Sequence, residues 1–517
     1  MTFYARYGDA FLYGNVERLY GEPLTPDDVI RWAIEIDWDG DGIYDGSNEN
    51  EYAVSLSVKR GRSDYIRVSG DGRAEGFEPV RIGTCNIVLD NTSRRFDPYN
   101  TNSDLYPYIL PGRFVRVRVD YQGELRPIFH GKIRNIVPIE NGRISQVRIE
   151  AEDGMRLLQQ ADASEPIQQN VRADTAIGSL LDAISYPTLY GRSLEQATDN
   201  IAYWWATNKV SSEVQDLAEA ELGEFFVAAD GAATFYARTH SSAPLLNLTA
   251  ADLLKEINIP QPWEVVRNYI RVFARPRKTI TDATLWTLQD TPLVQAGDTL
   301  EVWAQYTYNN ENIPAINVGI SSSDYTANTV ADGSGSNVTS DFAVSFTDFG
   351  ETGKIEVTNN GAVDAYITLL QVVGDAIVSP NPSILITENT TSQNLYGKSV
   401  FTLDNRWVQQ TNTARDFSRW LISFLPSPQR FIEVKVQTRP DIQFEPDLFD
   451  VVNLQVDRLG ISQNFKIGGI EHRWLNQNGQ SVQTIWNLEP FPDISGFWKF
   501  DNITGDVIMG VGTVFGF

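Results

Sequence analysis

The sequence predicts a mainly β, multidomain protein with a small α/β portion and an inserted β-sandwich. Three observations carry this expectation. Short runs of alternating apolar and polar residues recur along the chain, punctuated by Gly, Asn, Asp and Pro. Apolar residues at helical spacing are confined to a region from about 170 to 250 and to the stretch "RWVQQTNTARDFSRWLISFLPSP". The chain has 517 residues, too many for one ordinary domain at roughly 150 residues each.

Taken in order, residues 1–23 form an N-terminal extension and 24–158 a first β domain. In "FVRVRVDY" Val115, Val117 and Val119 share one face, with Arg116 and Arg118 on the other. "IFHGKIRNIV" follows as a partner strand, and Asn141-Gly142 suits the type I′ turn of a hairpin. Residues 159–275 form an α/β module. "ADTAIGSLLDAI" places Ile177, Leu180, Leu181 and Ile184 at helical spacing. "SSEVQDLAEAELG" opens with Ser212 and Gln215 as a capping box and ends at Gly223. Asp230-Gly231 marks a hairpin in "EFFVAADGAATFYAR".

Residues 276–390 change texture, being rich in Thr, Ser, Asn and Gly and poor in Lys and Arg. Their evenly spaced strands predict an inserted β-sandwich. In the following domain, 391–492, Val408, Thr411, Phe417, Trp420, Leu421 and Phe424 fit one helical stripe that Pro426 terminates. Long strands then run to the end of that domain. The tail, 493–517, is apolar and glycine-rich and is expected to dock on its own body or on a partner.

Composition narrows the function. The net charge is −25, which repels phosphate and argues against sequence-specific nucleic-acid binding or an anionic membrane surface. No uninterrupted apolar window is long enough to span a bilayer, and the N-terminus lacks the pattern of a secretory signal. The single cysteine, Cys85, alternates with Ile87 and Leu89 and reads as a buried strand residue. His130, His240 and His472 fall in separate strand segments. Nucleophile-elbow, P-loop and HExxH patterns are absent. No enzyme is expected, and no catalytic or cofactor-binding residue is assigned.

One stretch does carry chemistry. In "DWDGDGIYD", Asp37, Asp39 and Asp41 fall at positions 1, 3 and 5 of an EF-hand-type loop, Gly42 at 6 and Asp45 at 9. Position 12 is Asn48 rather than Glu, and the flanks read as strand. Two readings stay open. One is a calcium site completed by Glu49 or Glu51. The other is a double turn whose aspartates cap their own backbone.

The stretch "RIGTCNIVLDNTSRRFDPYNTNSDLYPYILPGRFVRVRVDY" resembles the N-terminal region of minor tail proteins of long-tailed bacteriophages and their prophages. The matching residues are Leu89-Asp90-Asn91, Arg94-Arg95-Phe96-Asp97-Pro98, Tyr106-Pro107 and Pro111-Gly112-Arg113. "IEIDWDGDG", "VKRGRSD", "AEDGMRLL" and "EVQDLAEAELGEFFVAADGAATFYAR" fit further family landmarks in order, over about residues 30 to 490. The segment from "SSDYTANTV" to "LLQVVG" is similar to a β domain often inserted in these proteins.

The resemblance implies baseplate-hub-like β-barrel domains at 24–158 and 391–492 and a trimeric ring at the tail tip. It implies as partners further copies of the chain, a distal tail or tail tube protein, a tape measure protein, and tail fibre or spike proteins. The implied location is the distal end of the virion tail, after synthesis in the host cytoplasm. Arg94, Arg95, Phe96, Tyr99, Tyr106 and Arg113 are then candidates for a loop anchor or a subunit interface. A rival expectation is a host-surface glycan-binding adhesin acting through the insert, with Trp286, Trp303 and Tyr306 as candidate contacts, for which buried core is the alternative use.

Overall fold

A computed structural model describes residues 30–491, apart from 45–47, 63–65, 69–73, 78, 141, 143, 241–242, 255–262, 438 and 478. The expected extension at 1–23 and tail at 493–517 lie outside the described residues.

Alternation in the first β domain produces an antiparallel series ordered Arg31–Ile36, Phe114–Tyr121, Glu124–Glu140, Ser145–Glu152, Arg81–Asp90 and Ala53–Gly61. Val115, Val117 and Val119 are buried, as are Cys85, Ile87 and Leu89 from the neighbouring strand. Burial pushes the Cys85 thiol far up, which makes it an inert core residue. Gly142, at φ +76°, lies in the connection between Glu124–Glu140 and Ser145–Glu152; Asn141 lies outside the described residues.

The same sheet does not stop at the first domain. Ala53–Gly61 also pairs with Ile461–Trp474, with Ser57 opposite Arg473 and Gly61 opposite Gly469. From there it continues through Val451–Val456 to Leu246–Thr249, and through Val482–Pro490 to Ile432–Gln437, giving eleven strands. The seam needs Gly61. Its φ is +95°, and a Cβ there would lie 2.3 Å from the Gly468 carbonyl oxygen.

Charged groups are buried along this seam. Arg60 meets Asp447 at 2.7 Å. Arg62 pairs with Glu224, and its Nε lies 3.4 Å from Glu489. Lys466 reaches Glu224 from the other side at 2.9 Å. Glu224 belongs to the hairpin of Glu224–Val227 and Ala233–Tyr236, so these pairs tie the α/β module to the seam.

In the α/β module, helices form at Ala173–Ala183 and Val210–Glu221. The second starts two residues before the expected capping box, with Lys209 at the cap and no side-chain cap bond. Ser212 therefore sits inside the first turn, because Val210 and Val214 are drawn into the core. The left-handed residue at its end is Leu222, at φ 50°, and Gly223 follows it to donate back to the Ala218 carbonyl. Asp230-Gly231 turns the hairpin as expected, with Gly231 at φ +94°.

The late helix spans Thr411–Phe424 and buries Ala414, Phe417 and Leu421. Val408 lies before it, in the segment that leads from the strand Val400–Leu403, and is buried there rather than on the helical stripe. The helix packs on a five-stranded sheet ordered Ser383–Glu388, Tyr269–Ala274, Val400–Leu403, Ala74–Phe77 and Ile66–Val68.

The insert is a two-sheet sandwich. Ala365–Val378 pairs with Lys278–Thr287, Leu293–Val294, Ala315–Gly319 and Tyr325–Asn328 in one sheet. Phe342–Asp348, Thr352–Asn359 and Thr299–Gln305 make the other. Between them Leu285, Ala304, Tyr306, Ile355, Val357, Ile367 and Val372 form a separate core. Lys278 stands opposite Val378, so the insert enters and leaves through adjacent strand ends. Ser383–Glu388 runs beside Tyr269–Ala274 and not with the sandwich strands.

Candidate functional site

The aspartate loop begins where Arg31–Ile36 ends. Asp37 still donates its amide to the Phe114 carbonyl, which fixes the loop at the edge of the first domain. Its buried carboxylate accepts from the amides of Gly40 at 2.8 Å and Gly42 at 3.0 Å. Both glycines have positive φ, at 82° and 86°. Asp41 accepts from the Ile43 amide at 2.7 Å. The double turn is therefore formed by hydrogen bonds.

The same fold gathers carboxylate oxygens of Asp37, Asp39 and Asp41 within 4.8 Å of one another. Such hard oxygen donors suit calcium, which takes six to eight oxygen ligands. Asp45 lies outside the described residues. Glu49, one of the two residues expected to complete a cation site, is committed elsewhere. It is buried, accepts from the Trp38 indole at 2.9 Å and pairs with Arg95 at 2.5 Å.

That pairing joins the two sequence features into one site, because residues 91–113 pack against the aspartate loop. Phe96 is fully buried; its ring meets Tyr52 edge-on at 5.2 Å and Trp38 at 6.1 Å. Asn91 accepts from the Phe96 amide at 2.9 Å. The Arg95 guanidinium lies over both Tyr52 and Phe96 and also reaches Asp104 at 3.2 Å. Arg113 donates to the carbonyls of Asp39 at 2.9 Å and Tyr108 at 3.3 Å.

The six candidate residues thus divide. Phe96, Arg95 and Arg113 hold the loop in place. Tyr99, Tyr106 and Arg94 stay exposed, beside Tyr108 and Leu110. Arg94 bonds Asp97 at 2.5 Å and holds its carboxyl below the usual range.

Glu35 extends the site beyond what the sequence suggested. Arg116 and Arg118, read as the outer face of their strand, both clamp this buried carboxylate at 2.8 to 3.0 Å. Burial pushes the carboxyl up, but the two guanidiniums outweigh it and hold it below the ordinary value. Arg116 also stacks 4.0 Å over Tyr44, whose hydroxyl meets His130 at 2.7 Å. His130 completes the chain at the Asp230 carbonyl, 2.6 Å away, and so locks the first domain to the hairpin of the α/β module. Only the acid-base alternation of adjacent strands could have hinted at this clamp.

The other histidines have their own structural partners. His472 bonds Thr484 at 2.9 Å, and His240 stacks on Tyr236 at 3.7 Å. Burial pushes His130 down to about 4 and His472 down to about 3, so both are neutral imidazoles near neutral pH.

In the insert, Tyr306 is buried and bonds Asp348 at 2.8 Å, and Trp286 packs against the sandwich core. Tyr306 is therefore a core residue and not a contact residue. Trp303 is 57% exposed and stacks on the exposed Phe349 at 5.6 Å.

No family model and no curated protein matches the chain. Among the described residues no helix is long and apolar enough to cross a membrane. The chain is similar to several solved structures. A tail protein from Neisseria meningitidis MC58 aligns over 90% of this chain and 97% of its own, at TM-score 0.49 and 9% identity. The 43 kDa tail protein of prophage MuSo2 from Shewanella oneidensis aligns over 89% and 98%, at TM-score 0.48 and 9% identity. An E. coli type VI secretion component, described as similar to the T4 tail proteins gp27 and gp5, aligns over 89% and 77%, at TM-score 0.37 and 8% identity.

Proposed function

We propose that this chain is a structural, non-enzymatic component of a phage tail tip. In this reading three copies close a hub that joins the tail tube to fibres or a spike and lets DNA pass. The hub occupies the distal end of the virion tail, after synthesis in the host cytoplasm. It meets a distal tail or tail tube protein, the tape measure protein, and fibre or spike proteins. The observation that carries the reading is residues 89–113. This stretch holds the most specific sequence resemblance, and Phe96, Arg95 and Arg113 anchor it rigidly while Tyr99, Tyr106, Tyr108 and Arg94 face outward. Exposed aromatics and arginine on a fixed loop suit a protein interface. The acidic charge of −25 is compatible with DNA passing without being held.

Light scattering across concentration tests the assembly. A species of three chains, weakened by Tyr99→Ala with Tyr106→Ala, is expected. A stable monomer on its own, together with intact infective tails after deletion of the gene, would overturn the reading.

One observation favours a second reading, a host-surface glycan adhesin. The stacked Trp303–Phe349 pair lies on a sheet face that also carries Thr299, Gln305, Ser345 and Thr347 and the charged Glu301, Lys354 and Glu356, with Glu301 accepting from the Trp303 indole at 3.2 Å. A small aromatic platform among hydroxyl, amide and carboxylate groups matches the amphipathic face of a sugar. Binding of the full chain to host cells that is lost in Trp303→Ala supports this reading; unchanged binding rejects it.

A further inference from the structure

We propose that residues 507–517 of this chain dock as an added strand on the open edge of Ser383–Glu388. The proposal does not depend on the hub reading. Among the described residues, Ser383–Glu388 pairs on one side only, with Tyr269–Ala274. Its inward residues are spoken for: Leu385 packs on the core beneath, and Thr387 bonds Ser418 at 2.9 Å. Its outward residues are Ile384 and Ile386, 50% and 52% exposed, and Glu388 at the end of the strand. Ile384 stands opposite Phe273, which extends the apolar strip onto the next strand.

An open edge with exposed branched aliphatics is a template for another strand, and folded proteins ordinarily blunt or cover it. Two other edges in this molecule are blunted. Phe342–Asp348 shows Ala343, Ser345, Thr347 and Asp348 to solvent, and Ile432–Gln437 shows Glu433. On the outward face of Ser383–Glu388 the one polar residue is Glu388, at the end of the strand, and Ile384 and Ile386 occupy the rest.

The chain carries a matching segment. In "VIMGVGTVFGF", Val507, Met509, Val511, Thr513, Phe515 and Phe517 alternate with Ile508, Gly510, Gly512, Val514 and Gly516. As a strand this puts large apolar residues on one face and mainly glycine on the other. One face would cover Ile384 and Ile386, and the glycine face would leave little apolar surface in water. The fifteen residues between Phe491 and Val507 let the two ends lie up to roughly 55 Å apart when extended. That crosses the face of a domain, and tethering raises the local concentration of the segment over that of any free chain.

Hydrogen exchange on the full chain and on a chain ending at Asp506 tests the proposal. The outward amides of Ser383–Glu388 are expected to exchange at least about tenfold faster in the shortened chain, with other strands unchanged. A second measurement separates the sources. Cys85 is buried, so Ile386→Cys with Val511→Cys offers one accessible pair. An internal disulfide at monomer mass supports docking within the chain. Disulfides only between chains would overturn it in favour of strand exchange between copies. Unchanged exchange with no disulfide would overturn it altogether.

Discussion

The seam of the two-part sheet and the inserted sandwich use charge in opposite ways. At the seam, Arg62 is nearly fully buried between Glu224 and Glu489, and Arg60 is buried against Asp447. Elsewhere, Glu213 of the α/β module is fully buried on Arg406, and Glu35 lies under Arg116 and Arg118. In the insert, Lys354 reaches Glu301 and Glu356 on an open sheet face, over a core of aliphatic residues and Tyr306. A pair buried between modules fixes one geometry, because misalignment strands a charge in a poor solvent. A pair on a free face fixes nothing. The contrast separates a part built to hold several modules in register from a part built to fold by itself.

The largest expected effect breaks the seam. Arg62→Ala should cost about 3–5 kcal/mol, because Glu224 and Glu489 lose a buried partner. Urea unfolding measures it; a loss below about 1 kcal/mol would mean that the seam does not depend on the pair. Lys354→Ala in the insert should leave the midpoint unchanged, which sharpens the comparison.

Acid should act on the same side. His130 and His472 have folded values depressed to about 4 and about 3. Their neutral forms fit the fold fully above the unfolded value near 6.5, and stability falls as pH drops from there toward 4. Each contributes a slope of up to about 1.4 kcal/mol per pH unit in that window. The insert, residues 278–378, holds no histidine. Hydrogen exchange at pH 4.5 against pH 7 should therefore loosen the strands around His130 and His472 before the sandwich. Simultaneous loosening would contradict the separation.

A smaller effect is expected from excising the insert. Because Lys278 and Val378 are partners across one strand pair, residues 279–377 can be replaced by a short turn. The melting temperature of the remainder should change by only a few degrees, and the excised sandwich should fold alone. The smallest effect concerns the aspartate loop. If Asp37, Asp39 and Asp41 hold calcium, millimolar calcium should raise the melting temperature by a degree or two where magnesium does not, and Asp39→Asn should abolish the rise. Equal curves would leave the loop to its own turn hydrogen bonds.

How far the sequence could be read follows the range of the interactions. Val115, Val117, Val119, Cys85, Ile87 and Leu89 were legible because strand alternation is a period of two residues, and their burial follows it. The helix Thr411–Phe424 was legible by its stripe, whereas Val408 fits the same period by chance and packs ahead of the helix. Helix starts were less legible: Ser212 and Gln215 match a capping box, but tertiary burial of Val210 moved the start. In the candidate site, Asp37 with its two glycines is local and readable. The capture of Glu49 by Arg95, 46 residues away, and of Glu35 by Arg116 and Arg118, 81 and 83 residues away, depends on strand register that no local pattern encodes.

The pairing of Ala53–Gly61 with Ile461–Trp474 has a consequence for biosynthesis. Trp32 likewise donates its indole N–H to the Gly479 carbonyl, 447 residues later in the chain. The first domain's sheet is thus completed only after residues 461–479 have left the ribosome. Closing so long a loop is slow, and until it closes one strand edge stands open to any neighbouring nascent chain. A prematurely released product would keep that edge unpaired. The fold thereby makes synthesis at least as far as Gly479 a condition for a finished surface.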